Sequence, residues 1–310
     1  MRESIGIVIL NYNTYDETLK CVDSIRINTT YPFHIYIVDN ASRDQSGERL
    51  QERYKKDRDV SIIINTNNTG YSAGNNIGIR RAVDEGRKYI AIINSDVELL
   101  NNALDILIET LEDDNEIMMI GPSVMDNNKQ ESQILRKKLT FRTFILDRHP
   151  FCDILRRGKE ADRYYIFSNH GITKEDASVS GCCFCMRTCD FMEIGYFDEN
   201  VFLYCEEDIL AYKMTKKNKK AAVNADAKVW HKANISTSKE GNAFVQFHRW
   251  TSVLYMLKTY AHISKLKQRF IALWNIITWD ILSLISKSHR KMNREFRRKN
   301  WAIVNTDNLG

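Results

Sequence analysis

Tyr89-Ile90-Ala91-Ile92-Ile93-Asn94-Ser95-Asp96-Val97-Glu98-Leu99 is the stretch whose reading decides the fold. Ile90 to Ile93 form a short, continuous apolar segment of largely β-branched character, the pattern of a strand buried on both faces of a sheet. The run then breaks into a polar triplet, which places Asp96 just past the strand's carboxyl end. Ligands of open α/β sheets bind at that edge, where a carboxylate can hold a hard cation beside a phosphorylated ligand. The same Asn94, Ser95 and Asp96 would also serve as a turn or as the cap of a helix starting near Asn101.

Upstream, the pattern repeats. Strand-like runs at Ile5 to Leu10, Phe33 to Val38 and Val60 to Ile64 are each followed by polar residues and then a helical stripe. Four strand-then-helix units in about 110 residues predict an α/β fold with a mostly parallel, helix-covered sheet. Asn11, Asp39, Asn67, Asn68 and Asp96 then fall along one sheet edge, as a nucleotide site requires. Asp39 can accept from a base edge or ribose hydroxyls, and Gly70 and Gly74 would let the backbone approach a ligand closely. Asn and Gly also simply terminate strands. No G-x-G-x-x-G follows the first strand, which disfavours a dinucleotide-dependent dehydrogenase.

The chain has 310 residues, 43% of them hydrophobic and only three of them proline, so a large core is affordable and no Pro-rich linker is present. Four of the seven cysteines crowd into Cys182, Cys183, Cys185 and Cys189, but no second pair lies at zinc-ligand spacing, and they read as small hydrophobes of a strand. Ile5 to Leu10 is too short for a signal-peptide core, so a cytoplasmic protein is expected. The net charge of +5 conceals an asymmetry: eleven Lys or Arg between Lys258 and Lys299 face only Asp280 and Glu295, a local +9 against −4 elsewhere. A membrane or other polyanion contact is therefore expected at the C-terminal end, and no nucleic-acid partner.

Gly121 to Ala177 reads as an irregular insertion mixing turns, basic residues such as Arg136, Arg156 and Arg157, and aromatics such as Tyr164. After a strand at Cys182 to Met186 comes Glu206-Glu207-Asp208, which either complements a helix dipole or supplies a general base. Ala227 to His231 is strand-like and ends in a histidine, structural or ligating. From Ala243 onward the pattern is helical. Phe270 to Ile285, apolar with Trp274 and Trp279, falls short of a spanning helix and suits either an interfacial helix on an anionic leaflet or packing against the rest of the chain or another subunit.

Taken in order, Asn11-Tyr12-Asn13, Asp39-Asn40-Ala41-Ser42, Asn68-Thr69-Gly70-Tyr71-Ser72-Ala73-Gly74-Asn75-Asn76, Asn94-Ser95-Asp96, Phe197-Asp198-Glu199, Glu206-Glu207-Asp208 and His231 resemble a family 2 glycosyltransferase of the rhamnosyltransferase-like branch that builds bacterial surface polysaccharides. The resemblance covers about residues 4 to 235. It implies a GT-A fold, a Rossmann-like α/β sheet with helices on both faces, over residues 1–240; the helical pattern beyond it predicts a basic, amphipathic extension over 241–310, membrane-peripheral or oligomerising. It also implies inverting transfer of a hexose or deoxyhexose such as rhamnose from a nucleoside-diphosphate sugar, with a divalent cation, Mn²⁺ or Mg²⁺. The acceptor is a saccharide or lipid-linked saccharide hydroxyl in capsule, O-antigen or cell-wall polysaccharide synthesis, at the inner face of the cell membrane.

By the same resemblance the donor site comprises Asn11, Asn13, Asp39, Asn68, Gly70, Asn75, Asn94, Ser95 and Asp96, with Asp96 and His231 as the metal ligands. Asn94 stands where the family's first acid usually is, leaving one carboxylate in the triplet. The base is Glu207 if Leu210 sets the alignment and Asp208 if the Glu-Asp pair does; about 100° apart on a helix, only one can face the site. A nucleotidyltransferase and a non-catalytic nucleotide-sugar-binding, membrane-peripheral scaffold are the competing readings.

Overall fold

The computed structural model describes residues 4–127, 131–132, 134–144, 165–167, 171–232 and 241–306. The first half alternates as the hydrophobic pattern requires: β1 (Ile5–Asn11), α1 (Tyr15–Asn28), β2 (Phe33–Asp39), α2 (Ser46–Tyr54), β3 (Val60–Ile64), α3 (Gly70–Asp84) and β4 (Tyr89–Asn94). Next come β5 (Val97–Leu99), α4 (Ala103–Asp113), β6 (Ile117–Met125), β7 (Glu131–Ser132), β8 (Ile134–Lys137), a single turn α5 (Phe141–Thr143) and β9 (Tyr165–Phe167). Then follow β10 (Ile172–Glu175), β11 (Ala177–Ser178), β12 (Cys183–Arg187), α6 (Thr188–Glu193), α7 (Glu206–Thr215) and β13 (Lys220–His231). Three helices end the described chain: α8 (Asn242–Thr259), α9 (Lys265–Ile285) and α10 (Lys287–Asn305).

The large sheet runs β10-β13-β6-β12-β4-β1-β2-β3, with β5 added to β13 and β7 to β6. β3, β2, β1 and β4 are mutually parallel, whereas β12 lies antiparallel between β4 and β6. Successive side chains of a strand point to opposite faces, and β1 obeys: Ile5, Ile7 and Ile9 pack with α1, α2 and α4, while Val8 packs with α3, α6 and α7. A smaller antiparallel sheet, β11-β8-β9, sits beside it.

Two expectations need correction. The stretch from Gly121 to Ala177 is not irregular throughout: Gly121 to Met125 complete β6, and β8, β10 and β11 are ordered strands, because their alternating residues pair with neighbours already in place. Arg156, Arg157 and Tyr164 lie outside the described residues. The last strand of the sheet begins at Lys220 rather than Ala227, with a register irregularity between Asn224 and Lys228 that hid its first half from pattern reading. The boundary at residue 240 also falls outside the described residues.

The C-terminal helices do not hang off the sheet. Val253, Leu254, Met256 and Leu257 of α8 share one core with Ile271 of α9, Ile303 of α10, and Val201, Cys205 and Ile209 at the start of α7. A second cluster is aromatic. Trp279 stacks on Phe296 with centroids 4.0 Å apart, meets Trp250 edge-on at 5.7 Å, and donates from Nε1 to the His289 carbonyl at 3.1 Å. Nearby, His248 stacks on Phe202 at 4.5 Å, joining α8 to the loop before α7.

Trp279→Ala should cost about 3–5 kcal/mol of unfolding free energy, the range for emptying a large aromatic site, in a denaturant titration. Burial, aided by the charge of Lys299, lowers the His248 imidazole from the ordinary 6.5 to about 4. The unfolded chain therefore binds the proton first, and stability is held above about pH 6.5 and lost as pH falls toward 4. His248→Phe should remove that part of the pH dependence, a flattening of about 1–3 kcal/mol in stability measured across this window.

Candidate active site

The carboxyl edge of the sheet carries a cavity of about 420 Å³. Asp96 reaches it from the turn between β4 and β5. β5 pairs antiparallel with the end of β13, register-matching Val97 to His231, so the imidazole falls beside the carboxylate: Nε2 lies 3.2 Å from Asp96 Oδ1. Burial alone would lower the His231 pKa, but hydrogen bonds to Asp96 and Cys182 outweigh it and raise it to about 10. Two residues 135 positions apart are thus joined by strand pairing.

The opposite end of the acidic motif arrives through a strained loop. Tyr204 and Cys205 are consecutive non-glycine residues with φ of 73° and 71°, a conformation costing about 1–3 kcal/mol each when not over-determined by its surroundings. It is over-determined here: the Phe202 carbonyl accepts from the Tyr71 amide at 2.7 Å and the Leu203 carbonyl from Ser252 Oγ at 2.8 Å. Gly70 permits this closeness. Its φ is +85°, and a Cβ there would lie 2.4 Å from the Phe202 oxygen.

Glu207 is fixed from two sides. Its Oε1 accepts from the Gly181 amide at 3.2 Å and pairs with Arg136 at 3.3 Å, while Oε2 takes no hydrogen bond among the described residues. A Cβ at position 181 would stand 2.8 Å from that oxygen, so a larger residue there would push the carboxylate aside. Tyr71 completes the floor, its hydroxyl lying 2.8 Å from the Gly181 carbonyl and 3.1 Å from Asn94 Oδ1. Glu206 also lines the cavity, with 5% of its surface exposed and Oε1 without a partner. Burial, reinforced by the charge of Glu207, lifts its carboxyl well above the usual range.

Of the residues singled out in the sequence, Asn68, Gly70, Asn94, Ser95, Asp96, Glu207 and His231 line this one cavity. Asp208 does not. It turns into the protein, where its Oδ1 lies 3.4 Å from Ser178 Oγ. Asn11, Asn13, Asp39 and Asn75 are also absent from the wall. Asp39, expected to meet a base or ribose directly, is 2% exposed and accepts from Asn11 Nδ2 at 2.6 Å, Ser42 Oγ at 2.6 Å and the Ser42 amide at 3.0 Å. Asn13 accepts from the Arg43 amide at 2.7 Å, and Asn75 donates to the Tyr71 carbonyl at 3.0 Å. These four shape the loops behind the wall. Gly70 and Gly74 likewise admit protein where a ligand was expected: Gly74 packs where a Cβ would lie 2.6 Å from Leu10.

Pattern reading missed several wall residues. Asn40 lies within a quoted motif, and its amide bridges the ends of β2 and β3 by five hydrogen bonds, to Asn65, Asn68, Gly70 and twice to Thr69. Arg136 stood in the stretch taken as irregular. Phe244 and Arg249 come from α8, and no local signal ties them to the sheet edge. The Arg249 guanidinium sits 4.9 Å from the Tyr204 ring centre and has no acidic partner among the described residues.

Asp96, together with the His231 imidazole once it has given up its proton, would leave a divalent cation to keep water and take its remaining ligands from phosphate oxygens. No group of three or more His, Cys, Asp or Glu placed to hold a metal occurs among the described residues, so an all-protein cage is not on offer.

The sequence profile of glycosyl transferase family 2 matches residues 6–192. The low-salt glycan biosynthesis hexosyltransferase Agl10 of Haloferax volcanii is 29% identical over 223 residues, 70% of this chain, and the chain spans 64% of that relative's length. The N-acetylglucosaminyl-diphospho-decaprenol L-rhamnosyltransferase of Mycobacterium tuberculosis is 20% identical over 316 residues, 96% of each chain. Among solved structures, the mannosyltransferase PcManGT of Pyrobaculum calidifontis, in complex with GDP-Man and Mn²⁺, superposes with a TM-score of 0.56 at 14% identity, covering 98% of this chain and 86% of that one. The mostly parallel sheet is that of the GT-A fold, and the chain belongs to glycosyl transferase family 2.

Proposed function

We propose that this glycosyltransferase moves a hexose or deoxyhexose from a nucleoside-diphosphate sugar to a hydroxyl of a saccharide or lipid-linked saccharide, with inversion, at the inner face of a cell membrane. One observation carries the reading: a single cavity is lined at once by the Asp96–His231 pair and by Glu207. In this reading Glu207 is the general base. Its Oε1 is held by Gly181 and Arg136, so the carboxylate keeps its orientation while Oε2 receives the acceptor proton. The acceptor oxygen then bonds the anomeric carbon as the bond to the diphosphate breaks, through an oxocarbenium-like state. No second carboxylate nucleophile is required for one inverting displacement.

Asp96 and His231 would hold the divalent cation, which when bound stabilises the charge developing on the departing diphosphate. Arg249 and Arg136 add fixed positive charge to the same wall. Asn68 and Asn94 bind the donor directly, while Asn11, Asn13, Asp39 and Asn75 hold the loops that receive its nucleoside. The neighbour solved with GDP-Man and Mn²⁺ and the relative named for a decaprenol-linked acceptor support this assignment of substrate classes.

The test is nucleoside diphosphate release from UDP-, dTDP- and GDP-sugars in the presence of saccharide and lipid-linked acceptors, with and without Mn²⁺. Wild type should act on one donor, Asp96→Ala should lose metal-dependent release, and Glu207→Gln should fall by about 10²–10⁴-fold, the usual worth of a general base. Asp208→Asn, if folded, should stay within a few-fold. Full activity in Glu207→Gln would overturn the base assignment, and donor binding without release would favour the scaffold.

A further inference from the structure

The described residues contain thirteen exposed large hydrophobics, and seven of them lie on α9. Leu266, Phe270, Leu273, Ile277, Ile281 and Leu284 recur at intervals of three or four, so at 100° per residue they fall within about 80° of the helix circumference. The stripe runs most of the length of a 21-residue helix, directly opposite the face that buries Ile271, Asn275 and Trp279. Its most open residues are Leu266 at one end and Leu284 and Ile285 at the other.

The adjoining helix is patterned as regularly but with charge. Lys287, Lys291, Arg294 and Arg298 of α10 recur at intervals of four, three and four, and the exposed Trp301 continues the same face. Arg297 is taken by Asp280, and Arg290 caps the end of α9 through the Ser283 and Leu284 carbonyls, each at 3.0 Å. None of the four stripe cations has an acidic partner among the described residues. No helix of the described residues is long and apolar enough to cross a membrane.

We propose that the α9–α10 hairpin is the surface by which this enzyme docks on an anionic phospholipid leaflet, with the α9 stripe seated among the acyl-chain boundary and the α10 stripe on the headgroups. It deepens, and rests on, the membrane side of the function proposed above. An apolar helix face beside a row of cations is the pattern of an interfacial helix. Charge argues against a second copy of the chain as the occupant. Pairing two such hairpins would bring two basic stripes together, and of the charges flanking the α9 stripe Lys267 and Arg269 are cationic while the acid, Asp280, is already held by Arg297.

The experiment is flotation of the full chain with phosphatidylcholine vesicles, with and without phosphatidylglycerol, at low and high salt. Binding should require the anionic lipid and weaken with salt. Ile277→Glu with Ile281→Glu, and separately Lys291→Glu with Arg294→Glu and Arg298→Glu, should each cut it at least about tenfold, since one basic residue near such a surface is worth roughly fivefold. All five positions are exposed, and an unchanged melting temperature would verify folding. Release of nucleoside diphosphate with a water-soluble acceptor should be unaffected in both variants. Binding that ignores lipid charge, or no flotation together with a dimer in sedimentation that Ile277→Glu with Ile281→Glu dissolves, would overturn the proposal. Flotation without transferase activity would sink the proposed function and leave the docking surface standing.

Discussion

The geometry of the site depends on a backbone that would not hold its shape unaided. Between Phe202 and Cys205 the chain turns through two left-handed residues to enter α7, and only external contacts make that turn the lowest-energy path. The contacts come from distant places in the sequence: the start of α3, where the absent side chain of Gly70 lets the strands of backbone meet, and α8, whose Ser252 holds the Leu203 carbonyl. Strain at one point is therefore balanced by packing from both halves of the chain. The product is an acidic helix start held against the sheet edge.

Behind the cavity wall, the polar residues at the strand ends satisfy one another. Asn11 donates to Asp39 and accepts from Thr14 and Thr18, so a buried amide and a buried carboxylate have partners without water. A buried polar group left unpaired costs about 1–3 kcal/mol, so such a network is stiff when complete. The unpaired Oε1 of Glu206 is the exception on the wall itself. It leaves a buried acceptor facing the cavity.

How much was legible follows from how far each signal travels along the chain. β1 to β4 were readable because buried parallel strands are continuous apolar runs with polar ends, and the motif at Asn94-Ser95-Asp96 lies at such an end. The choice between Glu207 and Asp208 was not readable, because it rests on a helix entry angle set by Tyr204 and Cys205, whose unusual φ values no residue type announces. Arg249 and Phe244 were invisible for a simpler reason: their helix looks like any amphipathic helix until its partner is known. Asp39 was correctly placed on the edge, but its burial depends on Ser42 folding back over it, a contact of the loop and not of the strand.

The shared core of α7, α8, α9 and α10 bears on modularity. Val201, Cys205 and Ile209, which seat the acidic motif, are buried against Val253, Leu257 and Ile271. A chain cut ahead of α8 would bare those side chains to water and release the loop that aims Glu207. The helical extension and the acidic helix are thus one structural unit: a graft that exchanges the tail has to carry the matching α7 surface with it, or lose the placement of Glu207.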